Sequence, residues 1–405
     1  MKNNNTLLTA KDFPDNGLIN NNEQLLIRRR LSDWLLLADD SKPENTLKAY
    51  RQDWQHFFNW CQSGKSFLSD QSKPKQALPA SIETLIDYIK YWVGIDAPAT
   101  LRRRLSSISK IHSVSGATNP LNDELVKESL KIIGRGYKKK KSRSMEPKTF
   151  YELKLLQLEE MGIESTDLHS NLAGDQIQAK GLTWSHLLRI KELLPVRNLE
   201  DTQGLSIRKA QAARRQNGVW LKHARDRALI HCAFDSMLRV SELVSLKIED
   251  VDFHADGSSL LKIGKRKDNQ EGEIAKAYLA VDTVKEIKRW LSMSKLLSGA
   301  LFCSLTKSGT IRTDKKYGMP NALKEGNVLD LYKSVADKIG ESSSLFSCHS
   351  TRVGAAQDML EENIGMLAVK QAGRWKSDRM PSRYGKDIDA KRGGMAQLSM
   401  KKNRN

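Results

Sequence analysis

A small set of side chains in this 405-residue sequence stands at spacings suited to chemistry on a phosphodiester. His349 and Arg352 are i, i+3 neighbours in His349-Ser350-Thr351-Arg352, and far upstream Arg239 and Glu242 stand in the same relation. Downstream come Trp375 and then Tyr384. A guanidinium fork matches two oxygens of a phosphate, an indole N–H donates but cannot exchange a proton, and a phenol is a nucleophile. Converging on one point, they would hold a phosphate and attack it without metal, cofactor or activated water. Each signal alone is weak. An Arg–Glu pair among Leu, Val and Met is more often a structural ion pair, because an unpaired buried charge is costly. His-x-x-Arg arises by chance, and a lone Tyr is usually just half-buried. The combination is what points to a site.

Composition bounds the substrate. With 67 Lys and Arg against 48 Asp and Glu, the formal charge is +19 at pH 7, which favours phosphate-rich partners, nucleic acid first. Cys61, Cys232, Cys303 and Cys348 are scattered and lack CxxC spacing, so free thiols in a reducing compartment are expected rather than a disulfide framework or a metal site. No run approaches the roughly 18 apolar residues of a membrane span, and the Asn-rich start has no signal-peptide core. A cytoplasmic protein is the expectation, free, if bacterial, to reach the nucleoid or a plasmid.

The elements that must position these groups follow from periodicity. Residues 1–22 predict a flexible tail. Residues 23–136 predict an all-α domain: Leu25, Leu26, Leu31, Trp34 and Leu35 mark one helical face, Leu47, Tyr50, Trp54, Phe57, Phe58 and Trp60 another, near the 3.6-residue period. Further helices follow over 81–93, 98–112 and 122–133, with Ser81 as a cap and Pro98 in a first turn. Residues 137–180 predict a basic linker and insertion, continuing the lysine-rich run of 134–144 with Lys139 and Lys140. A second irregular, basic stretch covers 197–217. The domain over 181–384 is mixed: a long apolar helix at 227–246 interrupted by Arg239 and Glu242, strands at 260–264 and 274–280, then helices at 282–297, 327–339, 349–362 and 364–372. The small residues Gly354, Ala355 and Ala356 would let the His349 helix pack closely on a neighbour. The fold class is therefore mainly α with a small β-sheet (α+β).

With these parts in place, the chain resembles the tyrosine recombinases of the phage integrase family. The resemblance runs over nearly the whole length, from Asn45-Thr-Leu-Lys-Ala-Tyr-Arg-Gln-Asp-Trp54 through 227–242. It is most specific in His349-Ser-Thr-Arg-Val-Gly-Ala-Ala-Gln-Asp-Met359 and Gln371-Ala-Gly-Arg-Trp375. It implies an N-terminal core-binding domain and a mixed catalytic domain. Arg239, Lys267, His349, Arg352 and Trp375 match the family's activating positions, Glu242 its supporting acid and Tyr384 its nucleophile. The family's lysine sits in a hairpin turn, where this sequence offers Lys265, Arg266 and Lys267 together; register favours Lys267, with Lys265 the alternative. Many members carry a second histidine where Trp375 stands, and 145–178 and 197–217 look like insertions. The implied reaction is site-specific cutting and rejoining of DNA through a 3′-phosphotyrosine and a Holliday junction, by a homotetramer on two duplexes with inverted-repeat sites.

For DNA reading, the helix over 98–112 would present Arg102, Arg103, Arg104, Ser107 and Lys110, and the helix over 45–60 Lys48 and Arg51, to a major groove and its phosphates. The segment 385–405, with Ile388, Met395, Leu398 and Met400, would dock on a neighbouring protomer; capping of its own core is the plainer alternative. Other readings are a replicon-dimer resolvase or type IB topoisomerase-like enzyme, and, from another class, a DNA-binding regulator that keeps the fold without the activity.

Overall fold

The computed structural model describes residues 21–67, 73–131, 154, 157–162, 178–264, 275–306, 309–314 and 316–402. Lys139, Lys140, Lys265 and Lys267 lie outside the described residues, as do positions 1–20 and the basic run at 134–144. Contacts divide the chain into two units, Met1–Gln176 and Ile177–Asn405. Mostly helical, with one three-stranded sheet, it has the fold class its periodicity predicts. No helix among the described residues is long and apolar enough to cross a membrane.

The first unit is built on α1 (Asn21–Ser41), α2 (Glu44–Gln62), α3 (Ile82–Trp92), α4 (Pro98–Ser115) and α5 (Glu124–Leu130). Their ends obey capping chemistry. The Ser81 hydroxyl accepts the Thr84 N–H at 3.1 Å, Asp123 accepts that of Leu125 at 2.8 Å, and Pro98 occupies the first turn of α4, where its missing N–H costs nothing. Trp54, Phe57, Trp60 and Tyr88 meet edge to face and tilted in the core. Buried His112 ties two elements together: its Nε2 accepts the Ala80 N–H at 3.0 Å while Nδ1 donates to the Ile108 carbonyl at 2.9 Å.

Two features of this unit differ from the sequence expectation. On α1 only Leu31 and Leu35 of the expected face are buried; Leu25 and Leu26 are exposed. The segment around residue 158, expected within a linker and insertion, instead supplies the core. Leu158 joins the apolar cluster, and Lys154, fully buried, donates to the carbonyls of Lys90 (3.1 Å) and Tyr91 and to Gln157 Oε1 (2.7 Å). Its ammonium thus satisfies last-turn carbonyls of α3 that no backbone N–H reaches. In the sequence Lys154 stands among Leu153, Leu155, Leu156 and Leu158, and apolar periodicity gives no sign that a charged residue among them is buried.

The second unit begins with α6 (Trp184–Leu193) and α7 (Ile207–Ser236), followed by α8 (Val240–Val244). Residues 207–217, expected to be irregular, form the first turns of α7: Ala210 and Ala213 are buried, and the Arg, Lys, Gln and Ala around them are strong helix formers. Strands β1 (Val251–Phe253), β2 (Ser259–Ile263) and β3 (Ala275–Leu279) pair antiparallel in the order β1-β2-β3, with Val251 opposite Leu261 and Leu261 opposite Ala277. The short β1 escapes a period-2 reading because it has a single buried residue. Leu261, Ile263, Ala277 and Leu279 face the main core with Ile287 and Trp290 of α9 (Val281–Ser294).

After α10 (Glu325–Lys338) come α11 (Ser350–Glu361), α12 (Met366–Gly373), α13 (Arg379–Arg392) and α14 (Gly394–Lys401). The small residues of α11 do permit close packing: a Cβ added to Gly354 would lie 1.9 Å from the Leu182 carbonyl oxygen. The Leu182 N–H donates to the Ser350 carbonyl at 2.8 Å, so the segment that precedes α6 braces the start of α11. Cys61, Cys232 and Cys303 are buried free thiols, while Cys348 is partly exposed; burial pushes Cys61 up to about 12 and Cys303 to about 11.

Candidate active site

The long helix expected at 227–246 does not pass through Arg239. Helix α7 ends at Ser236, Met237 turns into the left-handed region at φ 47°, and Arg239 becomes the residue before α8. The turn changes the meaning of Arg239. Instead of a buried charge inside a helix, its side chain is 45% exposed and available to a ligand. Glu242 steadies it, accepting the Arg239 backbone N–H at 2.9 Å and its Nη1 at 3.1 Å.

Arg352, on the first turns of α11, is buried. Its Nη1 donates to the Met237 carbonyl and Nη2 to the Gly373 carbonyl at 3.0 Å, and its guanidinium carbon lies 5.0 Å from the Trp375 ring centroid. Such stacking over an indole is attractive in its own right. Gly373 makes room for it, since a Cβ there would lie 2.1 Å from Trp375 Cζ3. Tyr384, midway along α13, meets the same indole edge to face at 5.8 Å. Beneath them Met237, Ala355, Ala356 and Val369 form a small apolar cluster that seats both rings.

Electrostatics are consistent with these positions. Burial lifts the Tyr384 phenol above its ordinary value, against the opposing pull of the Arg352 and Arg383 charges. His349, exposed just before α11, is held below its ordinary value by desolvation of part of the ring and by the cations of Arg352 and Arg239. Its imidazole is therefore neutral at pH 7 and can accept a proton. The fold thus brings Arg239, Glu242, His349, Arg352, Trp375 and Tyr384 together from elements far apart in sequence.

One member of the cluster escaped the sequence reading. Arg374, between Gly373 and Trp375, donates from Nη1 to the Ser236 carbonyl at 2.9 Å and from Nη2 to that of Met237 at 3.0 Å. Its Nη2 also lies 3.7 Å from Glu242 Oε2. The signal that could have found it is a long cation in a helix-terminating position where glycine is usual.

The residues expected to face a DNA groove separate into distinct groups. On α4, Arg102 is exposed, Lys110 partly so, and on α2 Lys48 is exposed and Arg51 partly so. Ser107 is not presented to solvent as expected: it is buried, and its hydroxyl donates to Asp53 Oδ2 at 2.7 Å. The same buried carboxylate holds Arg103, whose Nη1 is 2.6 Å from Oδ1 while half its side chain stays exposed. Arg104 pairs with Asp96 and lies over the Trp92 ring at 5.5 Å. The apolar stripe of α4 is thus wider than the periodicity suggested, because a buried Asp recruits polar neighbours.

At the C-terminus, the expected boundary after Tyr384 falls inside α13. Arg392 anchors that helix to its own unit by donating to the Leu360 carbonyl at 2.6 Å and to Asn363 at 2.8 Å. Gly393 then breaks the chain before α14, which has no buried residue; Met395, Leu398 and Met400 are exposed.

Residues 211–391 match the Phage integrase family. An integrase/recombinase xerD homolog from Selenomonas ruminantium is 28% identical over 380 residues, covering 91% of this chain and 88% of its own length. The Cre recombinase of Escherichia phage P1 is 26% identical over 189 residues, 45% of this chain and 55% of its own. Among solved structures, the XerH site-specific recombinase bound to palindromic difH substrate, a post-cleavage complex, aligns at 14% identity and TM-score 0.49, over 94% of this chain and 91% of that one. Residues 211–391 thus carry a phage integrase family domain, and the two relatives support kinship with the tyrosine recombinases. The relatives named integrase/recombinase and recombinase support a site-specific tyrosine recombinase.

Proposed function

We propose that this recombinase cuts and rejoins double-stranded DNA through a covalent 3′-phosphotyrosine on Tyr384. The observation that carries the reading is the Arg352–Trp375–Tyr384 stack, which sets a phenol beside a buried, oriented guanidinium. The Tyr384 oxygen attacks phosphorus, and the bond to the 5′-oxygen breaks. The phenolic proton passes to neutral His349, and the leaving oxygen takes a proton from the hairpin lysine, Lys267 or alternatively Lys265, which the family resemblance assigns to that task. Arg239, Arg352 and the Trp375 indole N–H stabilise charge on the non-bridging oxygens, with Glu242 fixing Arg239. The bond energy stays in the phosphotyrosine, and attack by a 5′-hydroxyl of a second duplex reverses the step with exchanged strands.

In this reading Arg102, Lys110, Lys48, Arg51 and the exposed part of Arg103 contact DNA, with Lys139 and Lys140 along the backbone. The net charge of +19 supports that role. The bare apolar side chains of α14 dock on a neighbouring protomer, linking four subunits on two duplexes bearing inverted-repeat sites and passing through a Holliday junction. The protein works in the cytoplasm of a bacterium. The test begins with a binding site selected from a pool of randomised duplexes. Two copies on separate DNA molecules should exchange flanks without nucleotide loss, within a complex of four protomers by native mass measurement. Sites that are bound but neither cut nor exchanged would overturn the reading.

A further inference from the structure

Arg374 occupies a backbone conformation that ordinarily selects glycine. It terminates α12 at φ 54°, ψ 44°, where a Cβ is disfavoured and glycine pays no steric cost. An arginine held there calls for a compensating use of its side chain, and the contacts provide one. The side chain is 11% exposed, and its guanidinium reaches back across the unit to the end of α7. Its Nη1 donates to the Ser236 carbonyl at 2.9 Å and to that of Ala372 at 3.4 Å, and its Nη2 to the Met237 carbonyl at 3.0 Å.

Ser236 and Met237 lie at the end of α7, where carbonyls lack partners along the helix. Met237 is itself left-handed, at φ 47°. Its carbonyl also receives Arg352 Nη1, so two guanidiniums close on one oxygen. Arg374 also lies 3.7 Å from Glu242, and Glu242 is the carboxylate that holds both the backbone and the side chain of Arg239. The guanidinium of Arg374 thus grips the turn and the carboxylate that fixes Arg239, and it acts on the site through them.

We propose that Arg374 is a positioning residue for strand cleavage: it clamps the left-handed Met237 turn and the Glu242 carboxylate so that Arg239 is presented to the scissile phosphate. The proposal rests on the recombinase reading above. Loss of the clamp leaves every group that touches DNA in the sequence but lets the Arg239 turn wander, and a displacement of about 1 Å at a reacting centre can cost about 100-fold in rate.

The test uses the full chain and Arg374→Gly, which removes the guanidinium while suiting the left-handed backbone, with Arg374→Lys as the conservative control. Single-turnover cleavage of a nicked duplex carrying the selected site should fall about 10- to 100-fold in Arg374→Gly, with the Kd for that duplex and the Tm close to wild type. Amide exchange across residues 236–243 should quicken. Added methylguanidinium should restore part of the cleavage rate, whereas the lysine variant, lacking the fork, should remain slow. Cleavage near the wild-type rate, or slow cleavage with unchanged exchange across 236–243, would overturn the clamp. If wild-type protein forms no covalent adduct, the recombinase reading fails, and the exchange measurement still decides the clamp by itself.

Discussion

The Arg352 guanidinium stacks over Trp375 at 5.0 Å while its nitrogens are given to the carbonyls of Met237 and Gly373. The arrangement fixes a buried cation in one rotamer before DNA arrives, and preorganised charge of this kind is worth far more in a partly desolvated site than in water. Because the same indole faces Tyr384, it sets the distance between charge and nucleophile.

The first prediction concerns Gly373. In Gly373→Ala the new methyl would press on the Trp375 ring, and the ring must swing away from Arg352 and Tyr384. Single-turnover cleavage should drop about 100-fold, with a stability cost of about 1–3 kcal/mol and DNA affinity retained. Cleavage within threefold of wild type would show that the indole does not set the geometry.

A pH profile should report two groups. His349 is held below its ordinary 6.5, so the imidazole stays neutral through pH 7 and cleavage should be lost only on the acid side of that value. Tyr384 is held above 10.0, so its phenol is protonated at neutral pH and gives up its proton to the imidazole only as it attacks. Cleavage rates measured between about pH 5 and 9 should therefore rise out of an acid limb and level off through neutrality. An acid limb centred above 6.5, or a rate falling from pH 7 to 8, would contradict the assignment.

His112 should make the first unit acid-sensitive. Burial lowers it from 6.5 to about 4, and its Nε2 accepts the Ala80 N–H, a bond that protonation abolishes. Between those values the unfolded chain binds more protons than the folded one, so stability is full above about pH 6.5 and falls as pH drops toward 4. The loss from this residue is about 3 kcal/mol. Denaturant titrations over that range should show a shallower pH slope in His112→Gln, although that variant starts less stable; an unchanged slope would count against the account.

Lys154 should prove structural. Lys154→Ala strips the donor from the Lys90 and Tyr91 carbonyls and leaves a cavity, a cost of about 3 kcal/mol. Lys154→Met, which fills the volume, should cost less. A loss below about 1 kcal/mol in the alanine variant would mean that the segment around residue 158 does not hold this unit together.

How far the sequence discloses the molecule depends on the kind of signal. Apolar periodicity placed most helices within a few residues, because burial of one face writes itself into the pattern. It failed where backbone conformation decides. Nothing in Met237-Leu238-Arg239 announces a left-handed turn, so Arg239 was expected inside a helix rather than exposed beside Glu242. It failed again at buried polar groups: Ser107 looked like a surface residue and Lys154 like part of a linker, because their burial depends on Asp53 and on the last carbonyls of α3. The spacing of His349, Arg352, Trp375 and Tyr384 was legible as a set because each belongs to one short stretch, α11 to α13. Arg374 was not, since its partners lie far upstream.

The central claim is that Tyr384 becomes covalently bound to DNA. Wild-type protein incubated with a nicked duplex bearing its selected site, denatured, digested with nuclease and protease and analysed by mass spectrometry should yield one nucleotide-linked peptide, with the phosphate on Tyr384; Tyr384→Phe should yield none. A linked peptide carrying its nucleotide on another residue, or an adduct surviving in Tyr384→Phe, would contradict the account.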